Sequence, residues 1–380
     1  MVLGLLVFVL QVAGKPHRFD SASFDPLVLD GIRRGAYPGA ALVIGRRDTI
    51  LFAKGYGRLT WAASSAVVSA ESTMYDLASL TKVLATTTAL MILVDRRAIS
   101  LDAPVARYVR EFAGPGTDAI TVRHLLTHTS GLRATLPLHK DAPDSAAALE
   151  MLFAATPVAR PGTRVVYSDV NAMLLGEVVR RASGEPLDRF ATREIFAPLE
   201  LGRTLFRPPR RLHPRIAPTG VWRGHPVSGV VNDPNAARLG GVAGHAGAFA
   251  TAADVGRFAQ LMLRQGALPD GRRLVAAATV RRFTTRVEPQ GPRQDSRALG
   301  WQAVPTDEDV SSAGTLFGPH SYGHTGWTGT SLWIDPDRDV FVVLLTNRAY
   351  APRAPRSFTV LKEVRGRVAD AVARAADAAR

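Results

Sequence analysis

The sequence predicts an α/β (α+β) fold: an antiparallel sheet flanked by terminal helices, with a helical subdomain inserted between the two halves of the sheet. Three observations predict it. Strand-like runs occur near both ends of the chain, the middle carries helical apolar periodicity broken by Gly/Pro loops, and an amphipathic segment ends the chain.

In order along the chain, Asp25-Pro26 reads as an N-cap followed by proline at the first helical position, opening a helix to about Arg34. "PGAALVIGRRDTILFAKGYG" then holds two apolar runs a turn apart, which predicts a β-hairpin of Ala41–Gly45 and Thr49–Lys54. Residues 79–97, 145–155, 170–182, 186–195 and 252–265 predict helices, with Thr251 and Asp254 as a capping box before the last. "ALGWQAV", "SYGHTG", "GTSLWIDP" and "VFVVLLTN" follow as strands, with a turn at Asp335-Pro336-Asp337. In the final helix Val360, Leu361, Val364, Val368 and Val372 share one side. The expected organisation is a single catalytic domain over 15–380. Its sheet part lies at about 20–77 and 296–380, and its helical part at about 78–295. A cleft is expected where the two parts meet.

Composition narrows the function. The chain has 380 residues, 46% apolar and 21% charged, which is the balance of a globular chain. It has no cysteine, so disulfides, thiol nucleophiles and thiolate metal sites are excluded. The formal charge of +14 suits an anionic partner such as a cell-envelope polymer, but the arginines are scattered singly or in pairs. With no basic run interleaved with aromatics, we read a solvated surface and no nucleic-acid partner. Val2–Val12 has the length of a signal-peptide apolar region and is too short to span a bilayer. Residues 1–14 are therefore expected to be a signal peptide and the protein to be exported, although the positive n-region is missing.

Only five of the 47 basic residues are lysines, and one stands three residues after a serine at the mouth of an apolar stretch, in "ASLTKVLATTTALMILV". On a helix, Ser79 and Lys82 share a face. A serine nucleophile needs a neighbouring base. Lysine serves only when its proton affinity falls by roughly 3 pH units from ~10.4, about 4 kcal/mol, and arginine stays protonated. Nineteen serines and five lysines in 380 residues give roughly 0.25 chance matches of this spacing. The pair alone therefore leaves a helix N-cap serine and a surface lysine equally open.

Two further stretches bear on the choice. In "VVYSDVNAMLLGEVV", Tyr167, Asp169 and Asn171 crowd a loop before an apolar helix; a tyrosine near a lysine can relay a proton. The same stretch also reads as a capping loop with Ser168 or Asp169 as N-cap. In "YGHTGWTGTSLWIDP", His324 and Thr325 precede Gly326 and Gly329, which let a strand approach a ligand, or simply make a bulge.

Together these three motifs resemble the serine β-lactamase and penicillin-binding protein family, in its class C and esterase-like branch. Ser79-Leu80-Thr81-Lys82 matches its Ser-x-x-Lys motif. Tyr167-Ser168-Asp169 stands where the family has Tyr-x-Asn, and His324-Thr325-Gly326 where it has Lys-Thr-Gly. The hairpin sequence resembles the family's opening hairpin and "ITVRHLLTHTSGL" its segment after the nucleophile helix; "DPNAARLGGVAGHAGAFATAADVGRFAQLML" and "GHTGWTGTSLWIDP…LLTNR" look most like its DD-carboxypeptidase-like branch, and the likeness covers about 24–375.

The resemblance implies a serine β-lactamase/DD-peptidase-like fold and a serine hydrolase with no cofactor and no metal. Ser79 would attack an acyl carbonyl, Lys82 and Tyr167 would share the base role, and the backbone N–H groups of Ser79 and Trp327 would hold the oxyanion. Asp169, Asn171, His324, Thr325, Gly326 and Trp327 would line the substrate site; His245, in a glycine-rich loop, either lines it or packs there, and Asp233 and Asn235 stand similarly. The implied substrate is a peptidoglycan-type D-alanyl peptide or a simple ester. Alternatives are a non-turnover penicillin-binding sensor, a weak β-lactamase, or a polymer binder with a vestigial site. His324 for lysine and Asp169 for asparagine should both disfavour carboxylate-bearing β-lactams. His124 and His128 have the spacing of a zinc pair, but without a glutamate between them or a third ligand they read as structural. Ser331, in "GTSLW", is no nucleophile elbow.

Overall fold

The computed structural model describes residues 21–287, 296–305 and 311–379. The expected signal peptide lies outside the described residues.

The first helix, α1 (Asp25–Arg33), leads into the hairpin β1 (Gly39–Gly45) and β2 (Ile50–Gly57), and a short strand β3 (Met74–Asp76) follows. Ser79 ends a turn after β3. A π-helical stretch, Lys82–Thr87, then continues as α2 (Thr88–Asp95). The helical part holds α3 (Val122–Leu126), α4 (Leu138–Asp141), α5 (Ser145–Phe153), α6 (Asp169–Ser183), α7 (Leu187–Ala191) and α8 (Pro234–Arg238). Short strands β4 (Leu205–Phe206), β5 (Gly220–Trp222), β6 (His225–Val227) and β7 (Ala248–Thr251) lie among them. Then come α9 (Ala252–Leu263), α10 (Ala277–Thr284), β8 (Gln302–Ala303), β9 (Tyr322–Thr325), β10 (Ser331–Asp335), β11 (Val340–Thr346) and α11 (Ser357–Ala378).

The main sheet has six strands in the order β2-β1-β11-β10-β9-β8, each pair antiparallel. The first two strands come from the start of the chain and the other four from its end, as the two strand-rich ends predict. Register Leu42↔Leu344 and Val43↔Val343 joins the halves. Successive side chains of a strand point to opposite faces, and here both faces are covered. Ala40, Leu42, Ile44, Val342 and Leu344 pack on α1 and α11, whereas Ala41, Val43, Phe341 and Val343 pack on α9 and the helical part. That is why β1 and β11 read as unbroken apolar runs rather than alternating ones. The five aliphatic side chains singled out on α11 are all buried against the sheet.

Two capping expectations are corrected. Phe24, not Asp25, occupies the N-cap of α1 and makes no side-chain cap. Asp25 is instead drawn across to β2, where its carboxylate accepts from Lys54 Nζ at 2.6 Å and Tyr56 OH at 2.8 Å. At α9, Thr251 Oγ1 accepts from Asp254 N as expected. The reciprocal half of the box is missing, because Asp254 accepts from Arg203 N and Thr204 Oγ1.

Candidate active site

The site begins at β3. This strand pairs antiparallel with β7, and Leu77 N donates to Ala248 O at 2.9 Å, so the chain enters the turn from a fixed direction. Ala78 then adopts φ +46°, in the left-handed region a residue with a Cβ disfavours. Asp76 supports this conformation: its Oδ1 accepts from Ala78 N at 2.8 Å and its Oδ2 from Asn232 N at 2.6 Å. Burial pushes the Asp76 carboxyl up to about 6, against the pull of those two N–H donors.

Ser79 thus stands on the turn before the helix rather than inside it, half-buried at the floor of a cleft of about 960 Å³. Lys82 Nζ donates to Ser79 Oγ at 2.9 Å, and Tyr167 OH lies 2.9 Å from the same oxygen. Lys82 is buried, as are Val83, Leu84 and Leu90 further along the same helix. Burial alone would lower its proton affinity, but Asp169, with Oδ1 at 2.7 Å, and Tyr167 together outweigh it, and Lys82 is raised above the ordinary lysine value. A lysine that serves as the base near neutral pH has to be depressed. The structure holds an ammonium, because aspartate stands where the resemblance has asparagine.

Two segments converge on Lys82 from outside the helix. Ser168 caps α6 by accepting from Asn171 N, which places Tyr167 just before the helix and Asp169 in its first turn, where the helix dipole favours a carboxylate. Burial pushes Asp169 up, but Lys82 and then His245 hold it below the usual carboxylate range. The glycine-rich loop supplies a backbone acceptor: His245 O takes a bond from Lys82 Nζ at 3.2 Å. The loop can approach only because of Gly244, where a Cβ would lie 1.9 Å from Ala172 O.

The opposite wall is the end of β9. His324 is buried, and its Nδ1 lies 2.8 Å from Thr325 O; a carbonyl only accepts, so Nδ1 carries the proton. Burial, then Lys82 and Arg297, lowers His324 to about 3, so the imidazole is neutral at physiological pH. Gly326 meets the serine turn: a Cβ there would lie 2.5 Å from Leu77 O. Thr328 and Thr330 fasten the two together by donating to Asp76 O and Leu77 O at 2.7 and 2.8 Å. Among the described residues, neither Ser79 N–H nor Trp327 N–H donates to a protein acceptor. Both residues line the cleft.

Most of the residues singled out therefore meet: Ser79, Tyr167, Asp169, His245, His324, Thr325, Gly326 and Trp327 line one cleft, with Lys82 hydrogen-bonded beneath Ser79. Asn171 does not reach it. Its Oδ1 accepts from Ser130 Oγ at 2.6 Å in the layer behind, so its expected substrate role is corrected to support of the α6 entry. Asp233 lines the cleft, capping α8 and accepting from His245 Nε2 at 2.9 Å. Burial raises Asp233, but the His245 bond and charge prevail and bring it down to about 2. Asn235 instead bridges α4 and α8 through His139 N and Leu136 O.

The two histidines with zinc-like spacing serve the backbone: His124 Nδ1 accepts from Thr121 N, and His128 Nδ1 from Ser168 N. His128 has φ +58°, so the pair shares no helical face. Ser331 lies in β10 and donates to Leu344 O. Sequence reasoning missed Asp76, whose only signal is its place before the serine turn. It also missed Arg297, Phe358, Lys362 and Arg365, which reach the cleft from distant segments.

The family model described as Beta-lactamase matches residues 24–365, so the chain belongs to the β-lactamase family. Within it, relatives from Escherichia coli O157:H7 and strain K12, each named "Putative D-alanyl-D-alanine carboxypeptidase", are 32% identical over 353 residues, covering 84% of this chain and 80% of theirs. The fold matches a class C β-lactamase from Rhodobacter sphaeroides with TM-score 0.73 at 22% identity, over 93% of this chain and 99% of that one. It matches the hydrolase EstCE1 with TM-score 0.72 at 22% identity, over 91% and 98%.

Proposed function

We propose that the protein is a serine hydrolase that forms an acyl-enzyme at Ser79, acting on a D-alanyl peptide or a simple ester. The observation that carries this is the Ser79 oxygen held 2.9 Å from both Lys82 Nζ and Tyr167 OH, in a cleft also lined by Trp327, whose N–H, like that of Ser79, has no acceptor among the described residues.

In this reading the Ser79 oxygen attacks the carbonyl carbon. Lys82, kept as an ammonium by Asp169 and Tyr167, cannot take the Ser79 proton, so Tyr167 relays it: its oxygen takes the Ser79 proton as its own O–H proton passes to the leaving group. Lys82 stabilises the charge left at that cluster. The tetrahedral oxyanion is received by Ser79 N–H and Trp327 N–H. The leaving group departs with the former Tyr167 O–H proton, Tyr167 keeps the one from Ser79, and water releases the acyl group by the same route reversed. Arg297, Lys362 and Arg365, which line the cleft, supply positive charge for a substrate carboxylate that neutral His324 does not attract. The names of the 32%-identical relatives support the D-alanyl peptide as substrate.

The test is intact mass after incubation with a fluorescent penicillin and a fluorophosphonate, for wild type and Ser79→Ala, together with D-alanine release from an N-acylated D-Ala-D-Ala peptide. An adduct on wild type that Ser79→Ala abolishes is expected, with decay of the penicillin adduct. A penicillin adduct that never decays, without D-alanine release or ester hydrolysis, would turn the reading into a non-turnover penicillin binder. No adduct from either probe would sink the acyl-enzyme reading.

A further inference from the structure

The turn between β9 and β10 carries the Trp327 N–H, and most of its backbone is tied down. Gly326 N donates to Thr330 O at 2.7 Å and Gly329 N to Gly326 O at 3.0 Å. Thr328 O accepts from Ala349 N, and Thr330 O from Arg365 Nη2 at 2.7 Å. Trp327 is held differently. The residue is 63% exposed, and its ring touches Phe358 with centroids 4.7 Å apart. The grip on its carbonyl comes from one side chain: Arg348 Nε and Nη2 donate to Trp327 O at 3.2 and 2.6 Å.

Arg348 is an unusual group to find there. It lies just past the end of β11 and is buried, with the Phe358 ring centroid 3.6 Å and the Trp327 ring centroid 5.2 Å from its guanidinium carbon. Its Nη1 reaches Ser357 Oγ at 3.4 Å, at the first residue of α11. Among the described residues no carboxylate pairs with it, although arginines all over the surface of the molecule are so paired. A buried cation without an anion is costly. Burial lowers Arg348 only to about 10, so it keeps its charge at physiological pH. Such a residue needs a return that its ion pairing does not give. The return is its fork on one carbonyl, and lysine lacks that planar fork.

We propose that Arg348 is the positioning residue of the oxyanion pocket: its guanidinium fixes the backbone of Trp327 and with it the direction of the Trp327 N–H toward the carbonyl attacked by Ser79. This rests on the acyl-enzyme reading above. Arg348 touches no reacting atom; it acts through Trp327, and through Ser357 and Phe358 it ties that peptide to the start of α11.

The test measures the second-order rate of Ser79 labelling by a fluorophosphonate, kcat and KM for p-nitrophenyl acetate, and inhibition by phenylboronic acid, whose serine adduct is tetrahedral. Wild type, Ser79→Ala, Arg348→Met and Arg348→Lys are compared, with melting curves for each. Loss of one aligned oxyanion donor slows acylation by roughly 100-fold. Arg348→Met is expected to lose about that factor in labelling rate and kcat, with KM within about twofold and boronate inhibition weakened in step with kcat/KM. Arg348→Lys should restore only part of the loss, because one ammonium cannot reproduce the fork. A folded Arg348→Met, or a folded Arg348→Lys if the first does not fold, that labels within twofold of wild type overturns the proposal. So does loss of folded fraction with an unchanged rate constant in the remainder, which is what a merely structural arginine would give. Wild type that is not labelled at all removes the hydrolase reading itself, and the oxyanion role with it.

Discussion

At the scale of single residues, the decisive pair is Lys82 and Asp169. A buried lysine raised by a carboxylate stabilises the fold below the unfolded lysine value, near ~10.4, and that stabilisation is lost as pH rises through the higher folded value. In Asp169→Asn the burial that lowers Lys82 is opposed only by Tyr167, and the sign reverses: the protonated lysine becomes a buried charge without a carboxylate at neutral pH, and stability recovers as pH rises. Breaking such a pair costs about 3 kcal/mol when the remaining charge stays buried. The melting temperature of Asp169→Asn should therefore lie well below wild type at pH 7, with the gap narrowing by pH 9.5. A gap that stays constant or widens would show that Lys82 does not depend on Asp169 for its proton. The motif spacing made Ser79 and Lys82 legible in sequence. The protonation of Lys82 was not, because it depends on a carboxylate 87 positions away that only the fold brings within 2.7 Å.

At the scale of elements, the serine turn shows why some residues stay hidden in a sequence. Ser79, Tyr167 and His324 announce themselves by residue types at fixed spacing. Asp76 does not, because its task is to accept two backbone N–H groups, and one of them belongs to Asn232 in a distant loop. Asn171 misleads in the opposite way: it sits next to the motif, yet three residues into α6 it points into the layer behind the cleft. Asp76 also carries a pH prediction. Its folded value of about 6 lies above the unfolded value of ~3.9, so its contribution to stability falls as pH rises from about 4 to about 6 and stays low above that. The geometry of the turn runs the other way, since only the carboxylate accepts both N–H groups. kcat/KM for an ester is expected to fall on the acid side with an apparent pKa near 6, even though the fold there is no less stable. Asp76→Asn should be less active at neutral pH, because its amide can satisfy only one of the two donors, and its acid limb at that pH should vanish. An unchanged limb in Asp76→Asn would assign it to another group.

At the scale of the whole molecule, the sheet assembled from both ends was legible because β1 and β11 are buried on both faces and advertise it with unbroken apolar runs. The small strands β3, β4 and β7 were not, since runs of two to four residues are set by tertiary pairing and carry no periodicity of their own. The shared construction also joins stability to the site. The start of α11 reaches the cleft through Phe358, Thr359, Lys362 and Arg365, while the helix as a whole seals the outer face of the sheet. Truncating its buried side chains should separate these two tasks by position. Leu361→Ala leaves a cavity in the first turns of α11, between cleft-lining Thr359 and Lys362 in the chain, and should cost about 2–5 kcal/mol. Val372→Ala, three turns further along, should cost roughly 2 kcal/mol. Both should lower the urea midpoint with unchanged slope, because all layers share one sheet. Only Leu361→Ala should also slow fluorophosphonate labelling of Ser79 under conditions where both variants are folded, because relaxation around its cavity shifts Phe358 and the Arg348 contact that depends on it. Equal slowing in Val372→Ala would mean that the cleft senses the packing of the entire outer layer. No slowing in either would mean that the turn is held from the sheet side alone, by Thr328, Thr330 and Ala349.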